Sequence, residues 1–236
     1  MHRLRSGAYA ERVATASVLV AEIRAGLRAA ADPTRAAGQQ AYMKSAMPFL
    51  GVRVPDARRI AHVAARGADD ATLRAASRTL WDDATHREER YAAMALLARI
   101  TPDLSQLPEI EHLVRTGQWW DITDELAHRL AALHDRFPVE TAGVVREWST
   151  DPDLWMRRIA VLSQLGRRDR LDPALLQALI EPNRDDPAFF MRKAIGWALR
   201  EYARVAPEWV RAYVDTHELS PLTRREALKH LSPAAR

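Results

Sequence analysis

Cysteine is absent from the 236 residues. That excludes a disulfide framework, a cysteine-containing zinc site and a cysteine nucleophile. Glycine is scarce, at nine residues, and no Asn-Gly or Asp-Gly pair marks a tight hairpin. Strand-like alternation over five or more residues is missing too, so little argues for a sheet. No apolar run approaches the ~18 residues of a membrane span. No signal-type apolar stretch follows Met1-His2-Arg3-Leu4-Arg5-Ser6, and the cytoplasm is the expected location. The eight His fall at no metal-ligating spacing, so no metal and no cofactor are expected. Glycine-rich phosphate loops and the G-x-S-x-G elbow are lacking, which argues against a nucleotide-binding or hydrolase-elbow enzyme. Lysine is nearly missing: Lys44, Lys193 and Lys229 stand against 32 Arg. Arg pairs bidentately with phosphate and stacks on rings, although a GC-rich genome produces the same bias.

What is present fits a helical protein. Apolar residues recur at helical spacing, as in Tyr91, Met94, Ala95 and Ala98, and the 13 Pro sit mostly between such segments. A repeat marks the C-terminal half. Asp151-Pro152-Asp153-Leu154-Trp155-Met156-Arg157-Arg158 returns 35 residues later as Asp186-Pro187-Ala188-Phe189-Phe190-Met191-Arg192-Lys193. Pro138, Pro173 and Pro207 recur at offsets of 35 and 34, Trp120 lies 35 before Trp155, and a weaker copy starts at Ser220-Pro221. The period is that of HEAT-like helix pairs, which bury their faces only by stacking. The expected fold is therefore all-α: one domain over 1–236, a right-handed-type solenoid of antiparallel helix pairs with a long concave surface. The repeats are expected over about 70–236, and a helical cap over about 1–66. Formal charge is +4, with 17 basic and 13 acidic residues before Trp119 and 18 of each from Trp119 onward; there is no basic tail, so any nucleic-acid surface must be assembled by the fold.

Three places carry something other than an apolar stripe. Trp120 and Asp124 share a helix face that continues through the small residues Ala127 and Ala131. Asp124 reads either as a pocket carboxylate or, with Asp121, as a first-turn residue favouring the helix dipole. Arg158 lies among Leu154, Trp155, Val161 and Leu162, an apolar setting. It must meet a structural carboxylate or an anionic ligand, since a buried unpaired cation is costly. Lys193, Trp197 and Arg200 form a cation–aromatic–cation stripe at i, i+4 and i+7, with Gly196 removing bulk beside Trp197. Such a stripe suits a nucleic-acid backbone, or a core Trp with flanking surface charges.

These segments resemble those of the AlkD-like DNA alkylation repair glycosylases. The run Gln118-Trp119-Trp120-Asp121-Ile122-Thr123-Asp124 is similar to the family's W-W-D-x-x-D signature. Leu154–Ala160 and Phe189–Tyr202 resemble two further motifs, Tyr42-Met43-Lys44 through Phe49-Leu50-Gly51-Val52 its N-terminal segment, and Leu219–His230 its last helix. The resemblance implies a monomeric, monofunctional glycosylase that removes cationic N3- and N7-alkylated purines from duplex DNA, leaving the damaged nucleotide stacked. It places the site on Trp120, Asp124, Arg158 and Trp197. Asp124 would stabilise the sugar cation and orient water, the two indoles would flank the deoxyribose, and Arg158 would hold a phosphate. DNA contacts are expected at Tyr42, Lys44, Arg53, Arg157, Arg192, Lys193 and Arg200. Arg53 departs from the family pattern, which favours an uncharged polar residue there. Two rival readings are a catalytically silent damaged-DNA binder and a HEAT-like protein-interaction scaffold.

Overall fold

Proline and aspartate divide the chain as their chemistry dictates. In the computed structural model, which describes residues 2–231 and side chains from residue 15 onward, Pro33, Pro138, Pro173, Pro207 and Pro221 each open a helix. The missing proline N–H is one that a first turn leaves unbonded anyway. The side chains of Asp32, Asp69, Asp153, Asp172 and Ser220 accept N–H groups of the turns that follow them. Each such cap is worth about 0.5–2 kcal/mol. The described residues form thirteen α-helices and no strand, so the all-α expectation holds.

The chain divides into two compact units, Met1–Thr101 and Pro102–Arg236. The first holds α1 (His2–Ala29), α2 (Pro33–Met43), α3 (Val54–Ala64), α4 (Asp70–Asp82) and α5 (Arg87–Leu97). Helices α1, α3, α4 and α5 pack together over Ile23, Leu27, Leu80, Trp81, Leu96 and Leu97, all fully buried. The periodicity places the cap boundary near residue 66, whereas the division falls after Thr101. The reason is that α4 and α5 bury their apolar faces against α1 and α3. Residue 1 and the side chains of 2–14, at the start of the expected cap, lie outside the described residues, as do 232–236 at the end of the expected repeats.

The second unit holds α6 (Leu107–Gly117), α7 (Trp120–Arg136), α8 (Pro138–Trp148), α9 (Leu154–Leu162), α10 (Pro173–Ile180), α11 (Phe189–Tyr202), α12 (Pro207–Thr216) and α13 (Pro221–Ala227). It is a helical solenoid. Helices α7, α9, α11 and α13 pack side by side in one row; α8 and α10 pack on each other in a second, and α12 lies against α11 and α13.

The 35-residue repeat has a physical basis in its Asp-Pro turns. Asp151 accepts the N–H of Asp153 at 2.8 Å, and Asp186 accepts that of Ala188 at 2.7 Å. Six residues further on, Arg157 donates to the Asp151 carbonyl at 2.8 Å and Arg192 to the Asp186 carbonyl at 3.2 Å. The same side-chain contacts thus launch α9 and α11.

Candidate active site

Asp124 of α7, Arg158 of α9 and Lys193 of α11 each stand fifth in their helix. Because these helices are neighbours, the three form a row across the unit. Arg158 donates from Nε to Asp124 Oδ1 at 2.8 Å and from Nη2 to Oδ2 at 2.9 Å. Its Nη1 donates to the Phe190 carbonyl. The Arg158 side chain is 5% exposed and that of Asp124 17% exposed, so the carboxylate is the outward member of the pair. Two open readings of the sequence resolve each other. Asp124 lies past the first turn and is held by the guanidinium, not by helix N–H groups, and the carboxylate that Arg158 needs is Asp124 itself.

Burial pushes the Asp124 pKa above the ordinary aspartate value. The hydrogen bonds and charge of Arg158 pull it the other way without cancelling the effect. Arg158 is thus what keeps an ionised carboxylate tolerable in this place. Its guanidinium also lies 5.8 Å from the centre of the Phe190 ring, and Phe190, Trp155 and Trp119 form a three-ring cluster with centroids 5.1–5.7 Å apart. The sequence offset pairs Trp120 with Trp155, but the residue that meets Trp155 is Trp119. Trp120 instead opens α7 as a half-buried indole one turn before Asp124.

The expected cation stripe is present but carries its own counter-charge. Lys193 Nζ lies 2.9 Å from Glu226 Oε1, and Arg200 pairs with Glu226 Oε2. Glu226 sits on α13 and its carboxyl is held below the usual range, first by the Lys193 hydrogen bond and then by Arg200. Gly196 makes this approach possible: a Cβ there would lie 2.5 Å from Glu226 Cβ and 2.9 Å from the Thr223 carbonyl. The room at Gly196 therefore admits α13, rather than relieving Trp197 as its position in the sequence suggests. Trp197 itself is half-buried on α11. Arg157 is also engaged, with Nη2 on Asp186 Oδ2 at 2.8 Å, and Arg192 holds a backbone carbonyl. Both serve the repeat turns described above. Glu226 and Asp186 lie outside the sequence-derived candidates. Asp186 was visible as a repeat position, but nothing local marks Glu226 as the partner of two cations 33 and 26 residues away.

The remaining candidates, Tyr42, Lys44 and Arg53, belong to the first unit and are exposed. Lys44 ends α2 in a left-handed conformation, φ 48°, and Arg53 precedes the first residue of α3 without capping it. The loop between them is organised from within. The Glu88 carboxylate, fully buried, accepts the N–H groups of Leu50, Gly51 and Val52 at 2.9–3.1 Å. Gly51 has φ +86°, and a Cβ on it would come within 2.0 Å of the Asp32 carbonyl oxygen. Only glycine fits there.

With this geometry established, the comparisons are decisive. The family model described as DNA alkylation repair enzyme matches residues 23–231. The chain belongs to the DNA alkylation repair enzyme family. The matched span includes every residue discussed above as a site candidate, and Glu88 and Glu226 with them. A predicted DNA alkylation repair enzyme from Enterococcus faecalis is 27% identical, with a TM-score of 0.78 over 86% of this chain and 98% of that one. AlkD2 from Streptococcus mutans is 17% identical, with a TM-score of 0.61 over 77% of this chain and 91% of that one. The smu.31 protein from Streptococcus mutans UA159, also 17% identical, gives 0.59 over 76% and 93%. At that identity the last two speak to the fold alone. No curated protein matches the chain. Among the described residues, no three His, Asp or Glu side chains are grouped as metal ligands, and no helix is long and apolar enough to cross a membrane.

Proposed function

We propose that this family member is a monofunctional DNA glycosylase that excises cationic N3- and N7-alkylated purines from duplex DNA. The observation that carries the proposal is the Asp124–Arg158 pair, with its carboxylate outward and Trp120 one turn away on the same helix. An alkylated purine that already bears a positive charge is a good leaving group, and the enzyme needs no general acid for it. What it must stabilise is an oxocarbenium-like sugar. A fixed carboxylate supplies negative charge where positive charge develops, at no cost in reorganisation. Arg158 lies on the inner side of Asp124, so the negative end of the pair faces outward. Each carboxylate oxygen takes one Arg158 N–H and keeps a lone pair to orient the attacking water. Indole faces favour nearby positive charge, which suits Trp120 and Trp197 as flanks for the deoxyribose. Arg158 acts here through Asp124 as a positioning residue. This differs from the phosphate-holding role implied by the family resemblance, because the Arg158 side chain is buried and three of its five N–H groups are engaged by Asp124 and the Phe190 carbonyl.

The test is incubation of the protein, as a monomer and without added metal, with duplex DNA carrying a single N7-methylguanine. The expected products are free 7-methylguanine, an abasic site and an unbroken strand. Strand cleavage without added base or heat would overturn the monofunctional assignment, and an intact lesion with tight duplex binding would favour a silent damaged-DNA binder. Ionised Asp124 is the working form. The excision rate should therefore rise with pH through its ionisation, with the acid limb displaced upward from that of an ordinary aspartate because burial raises the Asp124 pKa.

A further inference from the structure

The structure assigns Glu226 a role that the sequence motifs do not: it is a counter-charge that sets how strongly the α11 stripe binds DNA. Resting on the glycosylase reading above, the inference concerns affinity and discrimination rather than chemistry. One carboxylate serves two cations, with Oε1 at 2.9 Å from Lys193 and Oε2 paired with Arg200. The Glu226 side chain is 13% exposed, whereas Lys193 is 37% exposed, so the ammonium reaches outward past the carboxylate that restrains it. The arrangement is specifically built. Gly196, between the two cations on α11, is the position at which any Cβ would strike Glu226. Packing α11 against α13 thus delivers one negative charge into the middle of the Lys193–Trp197–Arg200 stripe.

The consequence for duplex binding is electrostatic. Phosphate affinity is sequence-independent and drives non-specific binding, and each additional phosphate contact steepens the salt dependence by about one in log–log slope. With Glu226 in place, Lys193 and Arg200 present a net single positive charge rather than two. The stripe is then held in a fixed geometry but only weakly attracts undamaged DNA, leaving more of the binding to groups that recognise the lesion. Glu226 is a positioning residue and a determinant of specificity; it touches neither the sugar nor the base.

The test is Glu226→Gln in the full chain, with duplex affinity measured against salt for undamaged and N7-methylguanine-containing DNA. A carboxamide keeps the shape but removes the charge, and its NH2 cannot accept from both cations. Undamaged duplex should bind about threefold more tightly at low salt, the Boltzmann factor of one unit charge acting at ~7 Å through water. The log–log slope should steepen by about one. The preference for damaged over undamaged DNA should shrink. The double variant Glu226→Gln/Lys193→Gln restores the parent charge and should restore the parent slope. An unchanged slope in the single variant, whether or not the melting temperature falls, would overturn the inference and leave Glu226 as a tie between α11 and α13. A double variant that keeps the steeper slope would overturn it equally. If the parent chain leaves the N7-methylguanine duplex unexcised, the glycosylase reading fails instead, and an excision assay on the parent, run beside the salt titrations, tells the two failures apart.

Discussion

In the first unit a carboxylate is buried against backbone; in the second, one is buried against a side chain. Glu88 is withdrawn from solvent and accepts N–H groups from three successive loop residues. Backbone donors cannot leave, so the contact fixes the chain from Leu50 to Val52. Asp124 accepts both its hydrogen bonds from Arg158, a partner on another helix, and one edge of it stays open. The first arrangement uses a negative charge to hold a shape. The second uses a positive charge to hold a negative charge that keeps one edge toward solvent. Burial of a carboxylate does not itself mark a functional group; what matters is whether the satisfied carboxylate still faces something outside.

The largest effect should come from removing the guanidinium. Arg158→Ala leaves the mostly buried Asp124 without its partner, and breaking such a pair costs about 3–5 kcal/mol of stability. Chemical denaturation measures it; a loss under ~1 kcal/mol would show that the pair behaves as a surface one. Next comes Asp124→Asn, which keeps one acceptor for Arg158 but removes the charge. Single-turnover excision should slow by an amount corresponding to about 2–4 kcal/mol in the barrier, with duplex affinity nearly unchanged. Equal rates for variant and parent would remove Asp124 from the chemistry. The smallest effect should be that of Glu88→Gln, which leaves one oxygen to serve three N–H groups. Stability should fall by about 1–3 kcal/mol, the cost of unsatisfied buried donors, and amide exchange at Leu50, Gly51 and Val52 should quicken. Unaltered exchange at these amides would mean that the loop does not depend on Glu88. If Glu88→Gln slowed excision on the same scale as Asp124→Asn, with the protein fully folded, the contrast between the two carboxylates would collapse.

The helices were legible because their causes are local. Prolines at first positions, aspartate or serine caps immediately before helices and apolar residues at helical spacing all act within a turn or two of chain. The row of Asp124, Arg158 and Lys193 was partly legible. The repeat aligns Arg158 with Lys193 at an offset of 35, and the W-W-D-x-x-D run singles out Asp124. The partners were less so. Glu88 and Glu226 look in sequence like ordinary charges on helices, and the Trp119–Trp155–Phe190 cluster is hidden by a one-residue slip in the repeat at Trp120.

By itself, the sequence determined an all-helical chain with a stacked repeat in its second half, the family to which the motifs point, and the residue types at the candidate site. The helices and the repeat follow from periodicity and capping, which need no long-range contact, and the family follows from the resemblance of the motifs. Only the tertiary structure decided which charges meet. Arg158 sits 34 residues from Asp124, and Lys193 and Arg200 sit 33 and 26 from Glu226. A stripe of two cations read along α11 became a group of three charges that shares one carboxylate of α13 and keeps a single net positive charge, because packing the two helices brings Glu226 between Lys193 and Arg200.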